Sequence, residues 1–222
     1  ALKTGRIQRL RAFHERLAGL TFLDPACGCG NFLVIAYREL RQLETELLEA
    51  LHDGGQLDLM AHSLSRIDVD QFYGIEIGEF PARIAETAMW MMDHLMNRAL
   101  SERFGKVFIR IPLKKSPTIA HADALELDWA TVLPPERCSY VLGNPPFVGA
   151  KFQTAEQREQ VRRIAALGRS GGTLDFVAAW FLKAGDYVAR AALSSPLVGE
   201  GQGGGRSAPR VAFVSTNSIT QG

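Results

Sequence analysis

Apolar positions along this chain keep two rhythms, short solid blocks and longer stretches stepped by three and four residues. The blocks Leu20 to Leu23, Gln71 to Ile77, Ser116 to Ala124, Cys138 to Gly143 and Arg210 to Ser215 are bounded by turn residues and predict strands. Helical spacing fills the intervals. Ile7, Leu10, Phe13 (or His14) and Leu17 mark an amphipathic helix over 5–19, and Leu33, Ala36, Leu40, Leu43, Leu47 and Leu51 mark one over 31–51 that Asn31 is suited to cap. A third helix starts at Pro81 and turns Ile84, Ala88, Met91, Met92, Leu95 and Leu100 inward, its methionines read as core. A fourth runs from Thr154 to Leu167. A fifth, capped by Thr173, reaches about Ala192 with Phe176, Ala179, Trp180, Leu182 (or the stem of Lys183) and Tyr187 on its faces.

Strands alternating with helices, on connections long enough for crossovers, predict a doubly wound α/β fold with a mainly parallel sheet. Residues 58–66 read as a short helical connector, 126–135 as a polar loop, and the glycine- and serine-rich 194–208 as a flexible insertion. The predicted organisation is an N-terminal helix over 1–19 followed by one α/β domain over 20–222.

Composition narrows this only slightly. The 222 residues are 46% hydrophobic and 22% charged, which suits one substantial core, and no apolar run approaches a membrane span. The formal net charge of +1 gives no global electrostatic argument for nucleic acid. The arginines at 6, 9, 11 and 16 therefore read first as a solvated helix face. Three cysteines, an odd number, suit a reducing cytoplasm. Cys27 and Cys29 lack the second ligand pair that a zinc site needs, so both read as small buried side chains and no metal is expected. The chain opens on Ala1 and stops just past an apolar block, the expected look of a piece of a longer polypeptide.

Two stretches carry candidate chemistry. Asp24-Pro25-Ala26-Cys27-Gly28-Cys29-Gly30 joins the first strand to its helix, where glycines let backbone turn sharply and a ligand approach closely. Asp24, Glu76 and Asp123 each fall at a predicted strand end, and an acidic residue such as Glu76 there can accept from ribose hydroxyls. His121 reads as structural or surface. The second stretch, Asn144-Pro145-Pro146-Phe147, follows the fourth strand. Two prolines make a rigid turn with free carbonyls. The Asn144 side-chain oxygen and the Pro145 carbonyl can hold both hydrogens of an NH₂ group, and Phe147 offers a face for stacking. Drawing those hydrogens toward tetrahedral geometry makes a conjugated amine a better nucleophile without a strong base.

Together these motifs, cofactor motif first, resemble the gamma class of amino-group DNA methyltransferases. The stretches 23–39, 72–85, 144–152, 174–184 and 211–222 more narrowly resemble the methyltransferase region of the MmeI-like single-chain restriction–modification enzymes. The resemblance implies a Rossmann-like class I fold, S-adenosylmethionine as methyl donor with S-adenosylhomocysteine as product, and no metal for methyl transfer. It places Asp24, Pro25, Ala26, Cys27, Gly28 and Gly30, with Asn31 and Phe32 behind them, against the methionine part of the cofactor. Glu76 would take the ribose hydroxyls, Ile77 the adenine face, and Asp123 with Ala124 the adenine edge. Asn144, Pro145, Pro146 and Phe147 would hold a flipped target adenine of double-stranded DNA, asparagine rather than serine before Pro-Pro being the adenine pattern. Family sheets usually add two strands after the fifth, and this chain is expected to lack them. The same motif occurs in methyltransferases acting on the cytosine amino group, RNA or protein glutamine, and a silent cofactor-binding module is the non-enzyme alternative.

Overall fold

The computed structural model describes residues 2–51, 65–104, 115–166, 174–194 and 208–215. Among them, five helices and five strands follow in the order α1 (Leu2–Ala18), β1 (Phe22–Asp24), α2 (Asn31–Leu51), β2 (Phe72–Glu76), α3 (Glu79–Phe104), β3 (Thr118–His121), β4 (Tyr140–Gly143), α4 (Ala155–Ala165), α5 (Ala178–Ser194) and β5 (Arg210–Phe213). All four strand pairs are parallel, and the sheet order is β3-β2-β1-β4-β5. The sheet thus grows outward in both directions from β1. Its order reverses between β1 and β4, the crevice where open α/β sheets bind ligands.

Alternation along the strands divides the core into two layers. Phe22, Phe72 and Tyr140 face α1, α2 and α3, with Phe22 stacked on Phe72 at 4.9 Å and on Tyr140 at 5.4 Å. Leu23, Ile75 and Val141 face the other way, onto Trp129, Val161, Trp180 and Tyr187. A one-residue slip of β1 would exchange these faces, so register is tightly specified.

The helix faces depart from expectation in an instructive way. On α3 the buried positions are Ala82, Ala85, Met89, Asp93, Asn97 and Leu100, while Met91 is 63% exposed and Leu95 is also exposed. On α2 they are Leu33, Tyr37, Arg41, Glu44, Leu47 and Leu48, leaving Leu43 exposed. Four polar side chains explain both departures. The Arg41 guanidinium donates to Tyr37 Oη at 2.6 Å, to Asp93 Oδ1 at 3.0 Å and to Asn97 Oδ1 at 2.8 Å, and its Nε lies 3.3 Å from Glu44 Oε2. Glu44 also faces His14 Nε2 of α1 at 2.8 Å and accepts from the Arg66 N–H at 2.6 Å. A buried, mutually satisfied polar network holds α1, α2 and α3 together, and a count of apolar residues is blind to it.

Smaller differences sit at element ends. Helix α2 already includes Asn31, so Gly30 occupies the flanking position, its carbonyl accepting the Val34 N–H at 2.8 Å. Helix α3 begins at Glu79, before Pro81. Two single 3₁₀ turns, Trp129–Thr131 and Pro135–Arg137, occupy the expected polar loop. Thr154 caps α4 through a reciprocal pair with Gln157. Helix α5 starts at Ala178, and Thr173 lies outside the described residues, as do most of 58–66 and 194–208.

Candidate active site

The glycine turn after β1 is built by backbone geometry. Gly28 and Gly30 take φ of +55° and +84°, where a side chain is strained. A Cβ on Gly30 would also stand 3.0 Å from that of Ala85, so this glycine lets the turn pack against α3. Asp24, 1% exposed, accepts from the Ala26 N–H through Oδ1 at 3.0 Å. From the other side, Trp180 Nε1 of α5 donates to Pro25 O at 3.3 Å. Cys27 is buried beneath the turn, where burial and the nearby Asp24 and Glu76 carboxylates push its thiol pKa up. Cys29 is exposed rather than buried, because it lies on the outer side of the same bend.

Glu76 ends β2 and ties two turns together. One carboxylate oxygen accepts from the Gly28 N–H at 2.9 Å and the other from the Gly78 N–H at 2.8 Å. Each oxygen keeps a free acceptor position. Asp123 lies just past β3, with Oδ1 accepting from the Leu125 N–H and Oδ2 from Gln160 Nε2, both at 2.8 Å. His121 is exposed, its Nε2 3.1 Å from Ile77 O, in keeping with a surface role.

The two motifs meet at the reversal of strand order. Gly143, last residue of β4, leaves no room beyond its backbone, since a Cβ there would stand 2.5 Å from Asp24 Oδ1. The carboxylate of the first motif therefore packs directly on the backbone that launches Asn144. Burial, and secondarily the Glu76 charge, push the Asp24 pKa up to about 7 against the pull of its bond to Ala26.

A cavity of about 650 Å³ opens over these strand ends, within the roughly 300–1,000 Å³ span of small-molecule sites. Pro25, Ala26, Glu76, Ile77, Asp123, Ala124, Asn144 and Pro146 line it, so the cavity unites parts of every predicted stretch. The other candidates stand back from its wall. Asp24, Cys27, Gly30 and Pro145 are buried behind it, while Asn31, Phe32 and Phe147 are exposed, Phe147 at 39%. Gly28 takes part through its hydrogen bond to Glu76.

Several wall residues escaped the sequence reading. Thr154, Glu156, Gln157 and Gln160 come from the start of α4, and Phe176 and Trp180 come from α5 and the turn before it. Their only sequence signal was position, since α4 directly follows the Asn-Pro-Pro-Phe loop. Among the described residues no three His, Cys, Asp or Glu side chains gather as a metal set.

The donor and acceptor chemistry fits an adenosyl cofactor. Vicinal hydroxyls require a pair of acceptors, as Glu76 offers, and an exocyclic amine requires one, as Asp123 offers. A flat base requires an apolar face, and Ile77 is 67% exposed at the cavity.

A five-stranded parallel sheet with an acidic, glycine-turned pocket and Asn-Pro-Pro-Phe at its reversal point defines a Rossmann-like α/β protein with a ligand site at its switch point. Comparison with known proteins makes this specific. The family described as "MmeI, DNA-methyltransferase domain" matches residues 2–222, and the chain belongs to it. DNA methyltransferase A of Bacillus subtilis (strain 168) is 35% identical over 219 residues, covering 96% of this chain and 22% of that protein. The Type IIL restriction-modification enzyme MmeI, solved in complex with DNA, matches with a TM-score of 0.80 at 53% identity, over 84% of this chain and 25% of that one. The chain thus spans only a quarter or less of the length of these relatives.

Proposed function

We propose that this chain is the methyl-transferring core of a restriction–modification protein and methylates the exocyclic N6 of adenine in double-stranded DNA, with S-adenosylmethionine as donor. The observation that carries the reading is the meeting of the two motifs across β1 and β4, with Asn144 and Pro146 lining the same cavity as Glu76 and Asp123. Family membership and the DNA-bound relative support a DNA substrate. Asparagine before Pro-Pro supports adenine.

When bound, the cofactor supplies a methyl group activated on a sulfonium. The protein's own part is positioning. Glu76 would hold the ribose hydroxyls, Ile77 the base face and Asp123 the base edge, while Pro25 and Ala26 close the side toward the methionine portion. A base stacked in a duplex cannot reach such a cavity, so the target must leave the helix. Phe147, exposed at the end of the motif, would stack on it. The Asn144 side-chain oxygen and the Pro145 carbonyl would accept the two amino hydrogens. Aligning the nitrogen in this way supplies much of the rate gain, since a well-oriented near-attack geometry accounts for about 7–11 kcal/mol in intramolecular reactions.

Calorimetric titration of S-adenosylmethionine into the full-length polypeptide, beside Glu76→Ala, tests the cofactor half of this reading. Binding weakened by about 100-fold or more in the variant is expected, because two charge-assisted hydrogen bonds are lost. Equal affinity in both proteins would remove Glu76 from the site, and no binding to either would remove the cofactor.

A further inference from the structure

Gln160 lies on α4, outside both motifs, yet its side chain reaches the acceptor assigned to the cofactor's base. Its Nε2 donates to Asp123 Oδ2 at 2.8 Å and to Glu126 Oε1 at 3.1 Å, so one amide group uses both hydrogens on two carboxylates. Arg163, one turn further on, pairs with Glu126. Val161 between them is wholly buried. Helix α4 is thereby fixed over the segment after β3, with Gln157 and Gln160 in the cavity wall.

The chemistry of this contact is selective. Asp123 is held from both ends, by the Leu125 N–H on Oδ1 and by Gln160 on Oδ2. A carboxylate oxygen with one donor keeps one acceptor position, so the group's direction is set while its capacity remains. Because glutamine is neutral, it leaves the negative charge of Asp123 in place. An arginine or lysine would cancel that charge. Lys183 acts on Asp123 through space without forming an ion pair with it, so the fixed carboxylate still attracts an amino group and repels a carbonyl oxygen presented in the same place.

We propose that Gln160 is a positioning residue for the cofactor's purine: by orienting Asp123, it makes the pocket discriminate a 6-amino from a 6-oxo purine. The proposal rests on the cofactor reading above. It also explains why α4 follows the Asn144–Phe147 loop so closely, since the helix that continues from the target-base motif forms a wall of the cofactor cavity.

The test is calorimetric titration of the full-length polypeptide with S-adenosylhomocysteine and with S-inosylhomocysteine, in which an oxo group replaces the 6-amino group. Wild type is expected to favour the adenosyl compound by about 100-fold, the scale of a rejected polar mismatch. Gln160→Leu, similar in size and without a donor, should weaken the adenosyl compound about 10-fold, one charged hydrogen bond's worth, and leave the inosyl compound unchanged or slightly improved. Gln160→Met should repeat this, with both variants melting near wild type. Equal weakening of both ligands would mean that Gln160 only supports the helix, and unchanged affinities would mean that it does nothing for the base. Either result overturns the proposal. Failure of wild type to bind either ligand would overturn the cofactor reading itself, and this proposal with it.

Discussion

Gly143→Ala adds a single methyl group at the junction of the two motifs, and its consequence follows from the local distances. The new Cβ would stand 2.5 Å from Asp24 Oδ1 and 3.0 Å from its Cγ, whereas ordinary contact begins near 3.4 Å. Something must therefore move by about 0.9 Å, the difference between 3.4 and 2.5 Å. Asp24 has little freedom to do so, being 1% exposed and tied to the Ala26 N–H. Overpacking of this kind costs about 1–3 kcal/mol, and loss of the Ala26 bond adds about 1 kcal/mol or more. A total of about 2–4 kcal/mol lowers Tm by about 5–15 °C in a chain of this size. Scanning calorimetry reads it directly, and Asp24→Ala supplies the control because it removes the atoms that clash. In that background Gly143→Ala should cost less than it does alone, the clash being gone while the strain of a side chain at φ +156° remains, and a double-mutant cycle should show a less-than-additive loss. A Gly143→Ala protein that melts within a degree of wild type would refute the reasoning, as would a loss undiminished by Asp24→Ala.

Two further predictions concern buried charge. The Asp24 carboxyl, raised from its ordinary 3.8 to about 7, keeps a proton in the native state that the unfolded chain has released over that interval. Its contribution to stability therefore falls as pH rises from about 4 to about 7 and is level on either side; denaturant melts of Asp24→Asn should lack this slope. Glu44 behaves oppositely. Burial is the largest influence and would raise its pKa, but hydrogen bonds from His14, the Arg66 N–H and Ser65, with the Arg41 charge, outweigh it and hold it below the usual carboxylate value. That stability is present above the unfolded-state value and is lost as pH falls below about 4.5. Glu44→Ala, which leaves Arg41 paired to Asp93 but takes the acceptor from Arg41 Nε, His14, Ser65 and the Arg66 N–H, should cost about 3–5 kcal/mol at neutral pH by the same melts, and a loss under 1 kcal/mol would contradict the network.

The order of strands and helices was legible in the sequence because short apolar blocks and helical spacing are local signals. The placement of both motifs followed from it, since Asp24, Glu76 and Asn144 end strands or directly follow them. The inward faces of α2 and α3 were less legible, because Arg41, Glu44, Asp93 and Asn97 occupy positions that apolar counting assigns to solvent. What makes them core residues is their pairing across three helices, a tertiary property. Gly143 and Gln160 were missed for a related reason. Gly143 matters through the space that Asp24 occupies, and Gln160 through a carboxylate far from it in sequence. Neither relation leaves a periodic trace.

Methyl transfer to adenine through the Asn144 motif would leave a chemically distinct base in the DNA. Its most direct test is incubation of the full-length polypeptide with double-stranded DNA and methyl-labelled S-adenosylmethionine, followed by digestion to nucleosides and mass spectrometry, beside Asn144→Ala. Label is expected in N6-methyldeoxyadenosine alone, abolished in Asn144→Ala while that variant still binds the cofactor with wild-type affinity. Label in N4-methyldeoxycytidine, or label in adenine that persists without Asn144, would contradict it.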